Sequence, residues 1–171
     1  MPIDKSIKSG GVRRYMESNA ENLYDRAIEL LGVGEYAEAV RLLMLAAERG
    51  NADAQCYLGW CYENGHCVPR NYDKAAILYL KAAEQGYAPA QYNLGVCYEY
   101  GYGVLQSDGE AVKWFCKAAE QSYACAQYAL GVCLSIGFGV PKNNDKAIEW
   151  YKKAAEQGHE PAKAELKRLG Y

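Results

Sequence analysis

Histidine is nearly absent from this chain of 171 residues, with only His66 and His159 to offer an imidazole. That scarcity removes the commonest general base and metal ligand from almost every position. No Ser-x-x-Lys, Gly-x-Ser-x-Gly or His-Glu-x-x-His occurs either, so an activated nucleophile or a metal-bound water has no evident home. His66 falls in a turn and His159 near a helix start, where both are expected as surface residues. A dominant charge sign is also missing. The 19 Lys and Arg against 21 Asp and Glu leave a net charge of -2, mixed along the chain, which argues against a grip on nucleic acid or an anionic membrane. No apolar run reaches the length of about 18 residues that a membrane span needs. Met1 to Arg14 carries Asp4, Lys5, Lys8, Arg13 and Arg14 without an apolar stretch of signal-peptide length, so a cytoplasmic protein without a membrane span is expected.

What the chain has in plenty is apolar and phenolic surface. Half of its residues are hydrophobic, enough for one well-buried domain. Sixteen Tyr stand against two Phe, and Tyr suits surfaces that are half apolar and half hydrogen-bonding. Seven Cys without an export signal are expected as free thiols and not as a disulfide framework. Cys61, Cys97 and Cys133 lie 36 residues apart and read as small packing residues of one structural position. Cys56, Cys67, Cys116 and Cys125 form no Cys-x-x-Cys pair, so no metal site and no cofactor is expected.

The cysteine spacing belongs to a wider pattern. Leu58-Gly59, Leu94-Gly95 and Leu130-Gly131 share one register of the 36-residue period, and Gly65, Gly101 and Gly137 share another. Repeats of this length mark solenoids, in which a small unit buries its apolar face by stacking on a copy of itself. Each unit opens with a segment such as Ala88 to Gly101, whose spacing predicts an amphipathic helix, helix A, with Leu94, Gly95 and Tyr98 on one face. Glycine inside a helix costs about 1 kcal/mol relative to alanine. Gly59, Gly95 and Gly131 at one repeat position therefore point to close approach of a neighbouring helix. Asp73 to Gly86, matched by Ala111 to Ser122 and Ala147 to Gly158, predicts helix B, with Ala75, Tyr79, Ala82 and Ala83 as an inward stripe. Gly86 and Gly158 then supply a left-handed cap, and Ser122 in the middle copy should cap least well.

Between the helices, Gly101-Tyr102-Gly103-Val104, Gly137-Phe138-Gly139-Val140 and the variant Gly65-His66-Cys67-Val68 predict a sharp turn with the valine tucked under it. Candidate N-caps for helix B are Asn71, Ser107 or Asp108, and Asn143 or Asn144. No strand precedes these glycines and no lysine follows at phosphate-loop spacing, which argues against nucleotide binding. Upstream, Ala20 to Gly50 is a related unit with a shorter turn, opened by a capping box of Ser18 with Glu21. Downstream, Glu160 to Gly170 repeats only helix A, with Lys163, Lys167 and Arg168 suited to seal an exposed solenoid end.

Tyr92-Asn93-Leu94-Gly95, Gly101-Tyr102-Gly103-Val104 and Lys117-Ala118-Ala119-Glu120 recur in order, and with them Ala52 to Gly158 resembles three Sel-1-like repeats, a tetratricopeptide-related family. The resemblance implies an all-α, right-handed α-α superhelix of antiparallel hairpins. It divides the chain into an N-terminal arm over 1–17, its flexibility left open, and one solenoid domain over 18–171. Within that domain it implies a tetratricopeptide-like unit over 18–50, repeats over 51–86, 87–122 and 123–158, and a capping helix over 159–171. Cys67 and Ser122 depart from the family's glycines, and Leu105-Gln106 stands where proline is usual.

Such proteins are similar to adaptors and scaffolds, in bacteria with links to signalling, whose A helices line a concave groove for a peptide or protein partner. Transferring tetratricopeptide groove positions implies Cys56, Trp60, Glu63 and Asn64; Tyr92, Val96, Glu99 and Tyr100; and Tyr128, Val132, Ser135 and Ile136. The alternative for Tyr92 and Tyr128 is packing between helices, and ring exposure separates the two. A non-catalytic binding role is expected. The enzymatic alternative, binding or hydrolysis of β-lactams as in some cysteine-rich relatives, finds no catalytic residues here. RNA recognition is disfavoured because Glu63 and Glu99 would repel phosphates, while Lys81, Lys117 and Lys153 are expected to pair with Glu84, Glu120 and Glu156.

Overall fold

The computed structural model describes the backbone of residues 6–171 and the side chains from Asn19 onward. Among the described residues all regular structure is helical: α1 (Ser6–Gly32), α2 (Tyr36–Glu48), α3 (Ala52–Asn64), α4 (Tyr72–Glu84), α5 (Ala88–Tyr100), α6 (Asp108–Glu120), α7 (Ala124–Ile136), α8 (Asn144–Glu156) and α9 (Glu160–Arg168). Ser18 stands within α1, so the expected capping box has no helix start to serve. Residues 1–5 of the expected N-terminal arm lie outside the described residues. No helix among the described residues is long and apolar enough to cross a membrane.

The chain divides into two compact units, one ending at Ala82 and one running from Ala83 to Tyr171. In the first, α1 packs on α2 and α2 on α3, around Ala27, Leu43, Ala46, Ala54, Leu58 and Cys61. In the second, α5 to α9 pack each on the next, around Val112, Phe115, Leu130 and Cys133 and a smaller group of Ala147, Tyr151 and Leu166.

The helix-A glycines have a specific partner. A Cβ built on Gly59 would lie 2.8 Å from the Tyr79 ring, on Gly95 2.6 Å from the Phe115 ring, and on Gly131 2.6 Å from the Tyr151 ring. The neighbouring helix therefore approaches through an aromatic ring, and the glycine is the slot that receives it. The first hairpin solves the same problem with smaller parts, pairing Ala27 with Leu43 in one core, both fully buried. The predicted inward stripe of helix B is buried throughout, in α4 at Ala75, Tyr79, Ala82 and Ala83.

A second set of contacts runs from the start of α3, α5 and α7 to the end of the helix before each. The buried amide of Gln55 donates to the carbonyl of Ala47 at 3.0 Å, that of Gln91 to Ala83 at 3.2 Å, and that of Gln127 to Ala119 at 3.3 Å. The Gln91 and Gln127 side-chain oxygens in turn accept from Gln121 at 2.7 Å and Gln157 at 2.8 Å. Arg49 makes the corresponding contact to Asn19 at 2.5 Å in the first unit. Each amide adds a second donor to a carbonyl that already accepts a backbone N–H, from Gly50, Gly86 or Ser122, and no buried side-chain nitrogen or oxygen among the described residues lacks a partner.

Turns and caps follow the sequence with two residues under backbone constraint. Asn71, Ser107 and Asn143 are the N-caps, accepting from Lys74, Glu110 and Lys146 at 2.9, 3.4 and 3.0 Å. Gly86 and Gly158 end helix B at φ +89° and +86°, and Ser122 is held in the same left-handed region at +63°. Cys67 likewise adopts +61° where the other turns have Gly103 and Gly139. A side chain in that region costs roughly 1–2 kcal/mol per residue.

Cys61, Cys97 and Cys133 are buried as expected of packing residues. Burial, with the nearby Cys67, pushes the Cys61 thiol up to about 11. Burial, with Glu99 and other acids around it, pushes Cys133 up to about 12.

Gly131→Ala is expected to destabilise the protein by about 1–3 kcal/mol through overpacking against the buried Tyr151 ring, outweighing the gain in helix propensity. A urea midpoint at or above wild type would contradict the slot. Ser122→Gly and Cys67→Gly are each expected to raise stability by about 1 kcal/mol, read in the same titration. Titration with a thiol-specific disulfide reagent should modify exposed Cys67 at once, and Cys61 and Cys133 only on unfolding.

Candidate functional site

On α3, Trp60 is exposed, 41% accessible, while Cys56 is 8% accessible and presents little of its thiol. Trp60 belongs to a chain of rings: Tyr57 lies 5.7 Å from it, His66 5.4 Å, and Tyr36 6.0 Å from His66. His66 occupies the turn position that Tyr102 and Phe138 hold in the other repeats, its backbone N–H donating to Cys61 as theirs do to Cys97 and Cys133. Exposed Asn64 caps back onto the Trp60 carbonyl at 2.9 Å. The Glu63 carboxylate, half-buried, accepts from the Tyr79 hydroxyl at 2.5 Å.

On α5 and α7 the predicted positions separate into two classes. Tyr92 and Tyr128 are half-buried against other rings, the packing alternative: Tyr92 lies 5.7 Å from both Phe115 and Tyr123, and Tyr128 lies 5.7 Å from Tyr151 and 4.9 Å from His159. Val96 and Val132 pack on the cores beneath them. Tyr100 and Ile136, at one repeat position, are 58% and 66% accessible. Tyr100 stacks on Tyr102 at 5.5 Å and 23°. Between the classes lie Ser135, whose hydroxyl donates to the Val132 carbonyl and accepts from Tyr151 at 3.3 Å, and Glu99. Burial pushes the Glu99 carboxyl up from its usual range, a hydrogen bond from Tyr100 opposes this, and Asp108 adds to it.

Two expectations about charged and imidazole groups need correction. His159 is half-buried and works as the N-cap of α9, its Nδ1 accepting from the Ala162 amide at 3.3 Å, because a helix start needs an acceptor and the imidazole supplies one. Lys117 and Lys153 lie over the rings of Trp114 and Trp150, at 3.8 and 4.0 Å from the centroids, and not in the ion pairs expected with Glu120 and Glu156. A tryptophan face three residues back attracts these ammonium groups through the ring quadrupole. Among the described residues no group of three or more His, Cys, Asp and Glu could hold a metal ion.

The Sel1 repeat profile matches residues 52–87, 88–123 and 126–159. Among solved structures, the chain is 42% identical to a Sel1 repeat protein from Oxalobacter formigenes, over 84% of this chain and 57% of that one, with a TM-score of 0.78. It is 35% identical to c5321, a protective antigen present in uropathogenic Escherichia coli strains displaying an SLR fold, over 92% of this chain and 36% of that one, with a TM-score of 0.84. It is 26% identical to Helicobacter pylori cysteine rich protein B, over 69% of this chain and 90% of that one, with a TM-score of 0.57. The chain thus spans 57% and 36% of the length of the first two. Among curated proteins no match is found. With three repeats matched in register and helical hairpins throughout the described residues, the chain belongs to the Sel1 repeat family and has its all-α solenoid fold.

Proposed function

We propose that this protein is a non-catalytic adaptor that holds a peptide segment of a partner protein on the exposed faces of its A helices. The observation that carries this reading is the exposure of Trp60, Tyr100 and Ile136, at 41, 58 and 66%. The same three helices bury Leu58, Leu94 and Leu130, and within them Trp60, Tyr100 and Ile136 are the large apolar side chains left exposed. Aromatic groups kept in this way are the usual energetic centres of protein contacts. Membership of a repeat family whose members are commonly interaction scaffolds points the same way.

Protein is favoured over nucleic acid as the partner because the A helices carry Glu63 and Glu99, and because Lys117 and Lys153 are engaged with Trp rings. A cytoplasmic location is part of the same proposal, supported by three cysteines that serve as buried packing residues. Catalysis of the β-lactam-hydrolysing kind is disfavoured by the chemistry of the candidates: the Cys61 and Cys133 thiols are pushed up to about 11 and 12, and His159 spends its lone pair on a helix cap.

Trp60→Ala and Tyr100→Ala are each expected to lower partner capture in a pull-down by tenfold or more, the loss of about 1.4 kcal/mol or greater that a hot spot gives. Their thermal melts, followed by circular dichroism, should stay near wild type because neither side chain is in a core. Tyr92→Ala should instead lower the melt. Equal capture by all variants, capture lost only in step with folding, or steady hydrolysis of nitrocefin by the pure protein would defeat the reading.

A further inference from the structure

The middle repeat breaks a pattern that the repeats on either side keep. The helix-B tyrosine of those repeats donates across its hairpin to a residue sixteen positions earlier: Tyr79 to Glu63 at 2.5 Å and Tyr151 to Ser135 at 3.3 Å. Phe115 occupies this position in α6. Its ring lies on Gly95 as the tyrosine rings lie on Gly59 and Gly131, within 2.6 to 2.9 Å of the Cβ that each glycine lacks. A hydroxyl on that ring would reach the sixteenth residue back, Glu99, as its counterparts do. The sequence places phenylalanine there, and phenylalanine occurs only twice in the chain.

Without that donor, the half-buried Glu99 carboxylate shares its hydrogen bond with the exposed phenol of Tyr100. The other charged group acting on it is Asp108, a second carboxylate. Burial and the like charge both disfavour the bare carboxylate, so a cationic partner there relieves both. Directly beside it stands the accessible Tyr100 ring, braced by its stack on Tyr102. A carboxylate next to a braced aromatic face complements one kind of group especially well. A guanidinium is planar, stacks on a ring, and offers several N–H donors at once to a carboxylate.

We propose that Glu99 and Tyr100 form a subsite for an arginine side chain of the bound peptide, kept open by phenylalanine at position 115. The inference rests on the peptide-binding reading of the A-helix face and adds the chemistry of what is bound there. All of its parts lie in the second unit. An arriving guanidinium hydrogen-bonds the carboxylate that burial has partly stripped of water, and offsets the repulsion from Asp108.

The test is selection of a phage-displayed library of random peptides on the full chain, followed by affinity measurement with a synthetic peptide from the selected set. Selected peptides are expected to be enriched in arginine. Glu99→Gln and Phe115→Tyr should each weaken the synthetic peptide about tenfold, the first by removing the charge and the second by occupying it, with melts close to wild type. Replacing the peptide's arginine by citrulline should weaken binding to wild type by a similar factor and change little on Glu99→Gln. Peptides that depend on Tyr100 yet show no arginine enrichment, or lysine in its place, overturn the arginine subsite alone. So do equal affinities for wild type and both variants. Peptides that bind Trp60→Ala, Tyr100→Ala and Ile136→Ala as well as wild type, or a library that yields none, overturn the peptide-binding reading together with the subsite.

Discussion

Three of the hairpins depend on a flat ring of helix B lying on a glycine of helix A. The contact accounts for two features that would each be unfavourable alone. Glycine in the interior of a helix costs about 1 kcal/mol in propensity, and a bulky aromatic within an alanine-lined stripe would hold two helices apart. Together they interlock, so the surrounding alanines reach the short separation at which they pack. The first hairpin has Ala27 and Leu43 at the corresponding positions, both fully buried in one core.

The ring also links the interior to the surface. Where it is tyrosine, its buried hydroxyl donates to the half-buried Glu63 or Ser135 of the A helix. One residue therefore sets the hairpin geometry and also the hydrogen-bonding state of a surface residue. The change to Phe115 leaves the first role intact and removes the second. A solenoid can in this way vary its surface chemistry from repeat to repeat at no cost to its packing, since the ring remains and only one polar atom is lost. The glutamine contacts serve a complementary purpose. They tie the end of one helix to the start of the next through carbonyls that also accept a backbone N–H, so hydrogen bonds act there beside apolar contact.

Much of this architecture was legible in the residues. Period, helix boundaries, the inward stripe of Ala75, Tyr79, Ala82 and Ala83, the glycine caps and the N-caps all express local rules about spacing and backbone conformation, and those rules act within about one turn of helix. Ser122 and Cys67 were recognisable as poor residues for their positions, and the backbone holds them in the left-handed region nonetheless because the repeat around them demands it. The A-helix face was less legible. Twelve positions carried over from related repeats include Trp60, Tyr100 and Ile136, which stand in water, and also Cys56, Tyr92 and Tyr128, which are held against their neighbours. Helical phase places all of them on a similar side. Burial depends on what the next helix puts opposite, and phase carries no information about that.

Alternation of helix and turn, the stacking repeat and the location of its slots were written in the order of the amino acids, because each is a short-range property that a residue and its near neighbours decide. Which tyrosines became core and which surface, the pairing of Trp60 with His66, the capping role of His159, the seats of Lys117 and Lys153 on tryptophan faces and the environment of Glu99 were decided only when helices far apart in the chain came together. Desolvation, ring contacts and cross-hairpin hydrogen bonds are relations between distant residues, and they acquire a value only once packing has fixed a distance.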